Sequence, residues 1–177
     1  MKTDQFEKIV LSMGATEKLM PIKEFVVTDE QIIDWLSSAY NLEENDRDGR
    51  TLLVNAACYG RSKVVAHLLA RGADLNASDK QLYTALHASV ISGDYDTVLL
   101  LIKNGANIHA KNAHGATPLM VCRTNHLEVI ELLLQHGADP HEKNNAGVCA
   151  YDAFAYFPNI IELFDHYAKT SPTEHSD

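Results

Sequence analysis

His126-Leu127-Glu128-Val129-Ile130-Glu131-Leu132-Leu133-Leu134-Gln135-His136-Gly137-Ala138-Asp139 is the stretch from which the fold follows. Val129, Ile130, Leu133 and Leu134 fall on one stripe of an α-helix, and Gly137 stands where such a helix closes with a left-handed cap. A helix this short cannot bury that stripe alone. It needs a neighbour.

The neighbour is another copy of the same pattern. Gly-Ala-Asp or Gly-Ala-Asn occurs at Gly72–Asp74, Gly105–Asn107 and Gly137–Asp139, spaced 33 and then 32 residues apart. Thr51, Thr84 and Thr117 recur at steps of 33, and Gly49, Gly115 and Gly147 share another phase, with Leu82 in the place of a missing glycine. Between each Thr and the next Gly-Ala lies an apolar run: Val64-Val65 to Leu68-Leu69, Val98 to Ile102, and Val129-Ile130 to Leu134. Units of this size bury their apolar faces by stacking into one continuous core.

Thr84-Ala85-Leu86-His87-Ala88, Thr117-Pro118-Leu119 and the run 126–139 resemble the ankyrin repeat, a unit of about 33 residues. The resemblance implies an all-α fold, an ankyrin-repeat solenoid of helix-turn-helix units with projecting β-hairpin or loop tips. Two departures bear on local structure. Thr51-Leu52-Leu53-Val54 lacks the Pro and His, and the third repeat is one residue short between Cys122 and His126, so its first helix should be shortened or shifted. The expected organisation is a degenerate N-terminal helical cap at 1–46, repeats at 47–79, 80–112 and 113–144, a C-terminal capping repeat at 145–168 and a disordered tail at 169–177. In the first cap, Thr28-Asp29-Glu30-Gln31 reads as a capping box before a helix over 28–39. Phe6, Ile9, Val10 and Met13 form a weaker helical stripe, and 14–27 reads as loop. In the last unit, Tyr151 to Phe157 and Ile160 to Tyr167 are the helix candidates.

Composition limits the partners. The 177 residues carry 15 Lys+Arg against 24 Asp+Glu, a net charge of −9, which argues against binding nucleic acid or an anionic membrane. The charge is unevenly spread: residues 1–46 sum to −6, 47–111 to +3 and 112–177 to −6. Cys58, Cys122 and Cys149 are odd in number and widely spaced, which is neither a disulfide framework nor a zinc signature. With no signal peptide or membrane-spanning run, the expectation is a cytoplasmic monomer with reduced thiols.

Catalytic chemistry finds little support. There is no His-Glu-x-x-His, no Gly-x-Ser-x-Gly and no phosphate-cradling glycine loop. By the resemblance, His87 and His126 occupy histidine positions that hydrogen-bond within the repeat. His109 and His141 are equivalent loop positions, with no carboxylate or cysteine joining them at a known ligand spacing. Cys122 and Cys149 sit at small-residue or Thr positions, and Cys58 is the cysteine expected to be exposed. No cofactor, metal or enzymatic activity is expected; a zinc or thiol site remains the distant alternative.

The resemblance implies instead that hairpin tips and exposed inner-helix positions line a concave groove for a protein partner. Position by position, these are Arg47, Arg50, Tyr59, Lys80, Tyr83, Ile91, Arg123, Tyr156 and Phe157. Aromatic and Arg side chains are enriched at interface cores, and the basic tips suit an acidic partner segment near the first two repeats. The expected function is that of an adaptor or inhibitor, with a bacterial immunity-type inhibitor or effector as the alternative of the same architecture. Tyr156 and Phe157 could equally pack on the last helix of the cap.

Overall fold

The computed structural model describes residues 28–37, 42 and 45–170. The stripe Phe6 to Met13, the loop 14–27 and the tail from 171 onward lie outside the described residues. The helices are α1 (Asp29–Ser37), α2 (Leu52–Cys58), α3 (Ser62–Ala70), α4 (Ala85–Ser92), α5 (Tyr95–Lys103), α6 (Leu127–Gln135), α7 (Ala150–Ala153) and α8 (Pro158–Thr170), with a 3-10 turn at Leu119–Val121 before α6. They form antiparallel inner and outer pairs, stacked in chain order.

The inner helices α2 and α4 each start at a threonine of the 33-residue phase. Thr51 Oγ1 accepts from the Val54 N–H (3.3 Å), and Thr84 Oγ1 accepts from the His87 N–H (3.4 Å). Such a cap satisfies one of the orphan donors of the first turn. Asp94 does the same for the outer helix α5, accepting from the Thr97 N–H at 2.8 Å. Outer helices close through backbone bonds from Ala73, Ala106 and Ala138 to the carbonyls of Leu68, Leu101 and Leu133, which is why Gly-Ala recurs as a pair. Val64, Val65 and Leu68, Val98 and Leu101, and Val129, Ile130 and Leu133 are buried, joined by Leu52, Leu53, Leu86, Val90 and Leu119 from the inner elements.

The third unit departs as the missing residue requires. Its inner element is the 3-10 turn Leu119–Val121, and the buried Thr117 Oγ1 has no hydrogen-bond partner. The N-terminal cap forms as expected, with Gln31 N–H on Thr28 Oγ1 (3.3 Å) and Thr28 N–H on Gln31 Oε1 (2.9 Å). Ion pairs Asp29–Arg61 (3.0 Å) and Glu30–Lys63 (3.1 Å), with a bond from Arg71 Nη1 to the Leu36 carbonyl, hold α1 against α3. At the other end the sequence expectation needs correction. The helix expected from Tyr151 to Phe157 is only the short α7, with a turn over 154–156 after it. Helix α8 runs past Tyr167 into what was expected to be tail.

Four hairpins project from the stack, and one side-chain oxygen organises each. Oδ1 of Asp46, Asp79, Asn112 and Asn144 accepts the N–H groups two and four residues on, at 2.8–3.1 Å. The hairpins join in a ladder: Lys80, Ala113 and Asn145 N–H donate to the Asp48, Gln81 and His114 carbonyls at 3.1, 2.9 and 3.0 Å. The fourth hairpin residue is left-handed throughout, with φ of +81°, +60°, +73° and +77° at Gly49, Leu82, Gly115 and Gly147. Leu82 therefore carries strain that the glycines do not.

Two predictions follow from the hairpins. Leu82 is 50% exposed, so Leu82→Gly forfeits little burial and relieves the left-handed backbone. Urea unfolding should show it more stable by about 0.5–1 kcal/mol, the left-handed cost less the entropy of glycine; a less stable variant would contradict the strain. Asp79→Asn keeps the accepting Oδ1 and should unfold near wild type, whereas Asp79→Ala should lose about 1–3 kcal/mol by orphaning the Gln81 and Tyr83 N–H groups. Equal stability of the two variants would mean that the accepting oxygen does not matter.

Candidate functional site

The expected groove residues of the first two repeats are brought together. Lys80 Nζ donates to the Arg47 carbonyl (2.6 Å), and Arg50 Nε lies 3.7 Å from the buried Asp79 carboxylate, so adjacent hairpins are cross-linked at their tips. Ser92 Oγ donates to the Ala57 carbonyl (3.5 Å), which ties the C-terminal end of α4, where Ile91 stands, to the end of α2 that precedes Tyr59. Tyr59, Tyr83 and Ile91 are half-buried, and burial pushes the Tyr59 hydroxyl above its ordinary pKa. The Tyr83 ring meets the buried His87 edge-on at 5.5 Å. These side chains offer apolar area already held in place, which limits the ordering entropy on binding.

The charge reading of this patch needs one revision. Arg50 is committed to Asp79 and lies 4.0 Å from Asp48, so its guanidinium braces two hairpins. Arg47 and Lys80 are exposed and carry the positive face. Arg123 is exposed beyond the 3-10 turn, and Tyr156 is 92% exposed in the last unit. Among the described residues no hydrogen bond, ion pair or ring contact joins either to the first two repeats. Phe157, 40% exposed, rests edge-on against Phe154 at 6.5 Å, and its carbonyl accepts from Ile160 and Ile161 at the start of α8. Phe157 is thus half cap and half surface, while Tyr156 is not part of the cap core.

The histidines divide. His87 Nδ1 faces both the Thr84 N–H (3.3 Å) and Oγ1 (3.0 Å), and Nε2 faces the Ala116 carbonyl (3.1 Å). A neutral ring with its proton on Nε2 satisfies all three, and the bond to Ala116 ties the second repeat to the third hairpin. His126 differs from its expected hydrogen-bonding role: its buried Nδ1 has no partner, and its ring fills the space beside Gly93, where an added Cβ would collide with it. His109 and Lys111 share Glu142 at 3.3 and 3.0 Å, a loop-to-loop ion pair, and His141 stacks on Tyr151 at 4.9 Å. No group of three or more His, Cys, Asp or Glu placed to hold a metal ion occurs among the described residues.

The thiols are structural in placement. Cys58 is half-buried, short of the exposure expected of it. Burial pushes the Cys122 thiol up to about 12, far from the thiolate a nucleophile needs. Cys149 takes the threonine's place as helix cap, with its N–H and Sγ donating to Asp152 Oδ2 at 3.3 and 3.0 Å, and these bonds hold the Asp152 carboxyl below its ordinary pKa. No helix among the described residues is long and apolar enough to cross a membrane.

Sequence reasoning missed the residues that build the hairpins. Asp46, Asp79, Asn112 and Asn144 recur at 33, 33 and 32 residues, three before the glycine phase, a signal available in the chain itself. It also did not single out the exposed apolar tips Leu82 and Val148 as binding residues.

Comparisons with known proteins agree with this architecture. The family model for ankyrin repeats in three copies matches residues 25–112, and the single ankyrin-repeat model matches 114–145. An ankyrin repeat-containing protein of Schizosaccharomyces pombe is 33% identical over 123 residues, covering 67% of this chain and 58% of the relative. The neurogenic locus notch homolog protein 1 of Danio rerio is 33% identical over 132 residues, 73% of this chain and 5% of the relative. Inversin of Gallus gallus is 37% identical over 95 residues, 53% of this chain and 9% of the relative. The chain thus spans little more than half of the fission-yeast protein and a small part of the two larger ones.

Burial of His87 lowers its pKa below the ordinary imidazole value, which makes stability depend on pH. The folded state favours the neutral ring, so this contribution is complete above the unfolded pKa, about 6.5, and is lost as pH falls through the lower folded value. Urea midpoints measured from pH 7 downward should fall below about pH 6.5, and fall less steeply in His87→Gln. An identical pH profile for the two proteins would exclude His87 as the source.

Proposed function

The chain belongs to the ankyrin-repeat family, and on that footing we propose that it is a non-catalytic protein-binding module, an adaptor or inhibitor, whose first two repeats hold an acidic segment of a partner protein. Ankyrin repeats generally bind other proteins. The observation that carries the finer reading is that two consecutive repeats, cross-linked at their hairpin tips, hold half-buried Tyr59, Tyr83 and Ile91 as well as the exposed cations Arg47 and Lys80. Aromatic side chains fixed at an interface core supply affinity, and rim cations steer an anionic segment into register. Arg123 extends the positive face toward the third repeat. Three unpaired cysteines suit a reducing compartment, and the chain would act as a monomer in the cytoplasm.

Random peptides displayed on phage and selected on the immobilised protein test this reading. Acidic sequences with an apolar residue should emerge. Tyr59→Ala/Tyr83→Ala should weaken them by at least about tenfold, about 1.4 kcal/mol, while thermal unfolding stays cooperative. The proposal fails if no acidic sequence emerges, or if a folded double variant binds those sequences as tightly as wild type.

A further inference from the structure

The last unit carries a surface of the opposite character. Six large apolar side chains are exposed among the described residues, and three of them, Val148, Tyr156 and Phe157, lie within a ten-residue stretch of the C-terminal unit. Asp152 stands on α7, Val148 lies just before its capping residue Cys149, and Tyr156 and Phe157 follow in and after the turn over 154–156. Residues 145–168 contain Asp152, Glu162 and Asp165, all exposed, and no lysine or arginine. Only Oδ2 of Asp152 is used in capping; its Oδ1 accepts no hydrogen bond from the described residues. Lys143 bears on this carboxylate through space, without an ion pair.

The backbone at this end also offers a partner a register. In the hairpin ladder the Asp48, Gln81 and His114 carbonyls each accept one N–H from the next unit. The equivalent position in the last hairpin is Ala146, whose carbonyl accepts none among the described residues. An extended segment can add itself to such an edge through its own N–H groups. A second copy stacked end to end does not fit: residues 1–46 also sum to −6, matching the −6 of 112–177, so that stacking opposes like charges.

We propose that Ala146, Val148, Asp152, Tyr156 and Phe157 form a second docking surface, which takes an extended segment of a partner protein carrying alternate apolar and cationic side chains. The segment donates an N–H to the Ala146 carbonyl, lays apolar side chains over Val148, Tyr156 and Phe157, and sets a cation on Asp152. It is distinct from the acidic segment assigned to the first two repeats and does not depend on it.

Two synthetic peptides of equal length test it, one alternating lysine with leucine and one alternating glutamate with leucine, each titrated into the nitrogen-15-labelled full chain. The lysine peptide should shift the amide resonances of Ala146, Val148 and 152–157. It should bind about tenfold more weakly to Tyr156→Ser or Val148→Ser, about 1.4 kcal/mol, and severalfold more weakly to Asp152→Asn, which keeps the capping oxygen. Tyr59→Ala/Tyr83→Ala should bind it as wild type does, so this surface and the groove stand or fall separately. Shifts confined to other acidic surfaces, equal binding of the glutamate peptide, or unchanged binding by Tyr156→Ser would overturn the assignment. So would sedimentation showing a dimer that Tyr156→Ser dissociates, since a second copy would then be the occupant.

Discussion

One side-chain oxygen, repeated four times, sets the geometry of this molecule. At Asp46, Asp79, Asn112 and Asn144 it gathers two backbone N–H groups of its own hairpin, which bends the chain back before the next inner helix begins. An unpaired N–H in a tight turn costs about 1–3 kcal/mol once buried, so the acceptor must be there in every unit. Aspartate and asparagine both supply it, and the charge is the part free to vary. At Asp79 the spare carboxylate oxygen takes Arg50, and at Asp46 it takes the Asn55 amide (3.1 Å). At Asn112 the spare group is a buried amide nitrogen with no partner. Among the described residues the spare group of the hairpin is thus partnered at Asp46 and Asp79 and unpartnered at Asn112.

That gradient runs on into the third inner element. His87 locks the second repeat to the next hairpin through Ala116, whereas the equivalent position in the third unit is Met120, which offers no such bond. With one residue missing before His126, the chain has too little length for a full helix. It closes as a 3-10 turn and leaves the Thr117 hydroxyl without a partner. A stacked array is approximately a sum of unit stabilities and nearest-neighbour interfaces, so the bonds missing from the third unit are lost from the total.

Much of the fold was legible because a repeat states its own alignment. Thr51, Thr84 and Thr117 marked the inner elements, and the Gly-Ala pairs marked the ends of the outer helices. Thr28 to Gln31 marked a cap that forms as expected. The candidate surface was legible by position only. Placing Arg50 at a hairpin tip gives no sign that a buried aspartate in the next hairpin claims its charge, since that pairing depends on how two units stack. Tyr156 and Phe157 are neighbours in sequence, yet one is almost fully exposed and the other rests on Phe154. Both follow the four-residue α7, and the turn over 154–156 decides which way each falls. Local propensity does not specify that turn.

The distribution of charge is where the frame leaves room for recognition. The hairpin acceptor recurs in all four hairpins and the Gly-Ala closure in three successive units, so the residues between them can change without altering the stack. In the first two repeats those places hold tyrosines with Arg47 and Lys80; in the last they hold Val148 and Tyr156 with Asp152. A net charge of −9 sums these opposed regions and describes neither. Charges more than a Debye length apart, roughly 8–10 Å in physiological salt, act almost independently. Each surface therefore answers to the sign of its own few residues, and a chain acidic overall can present a basic face to one segment and an acidic one to another.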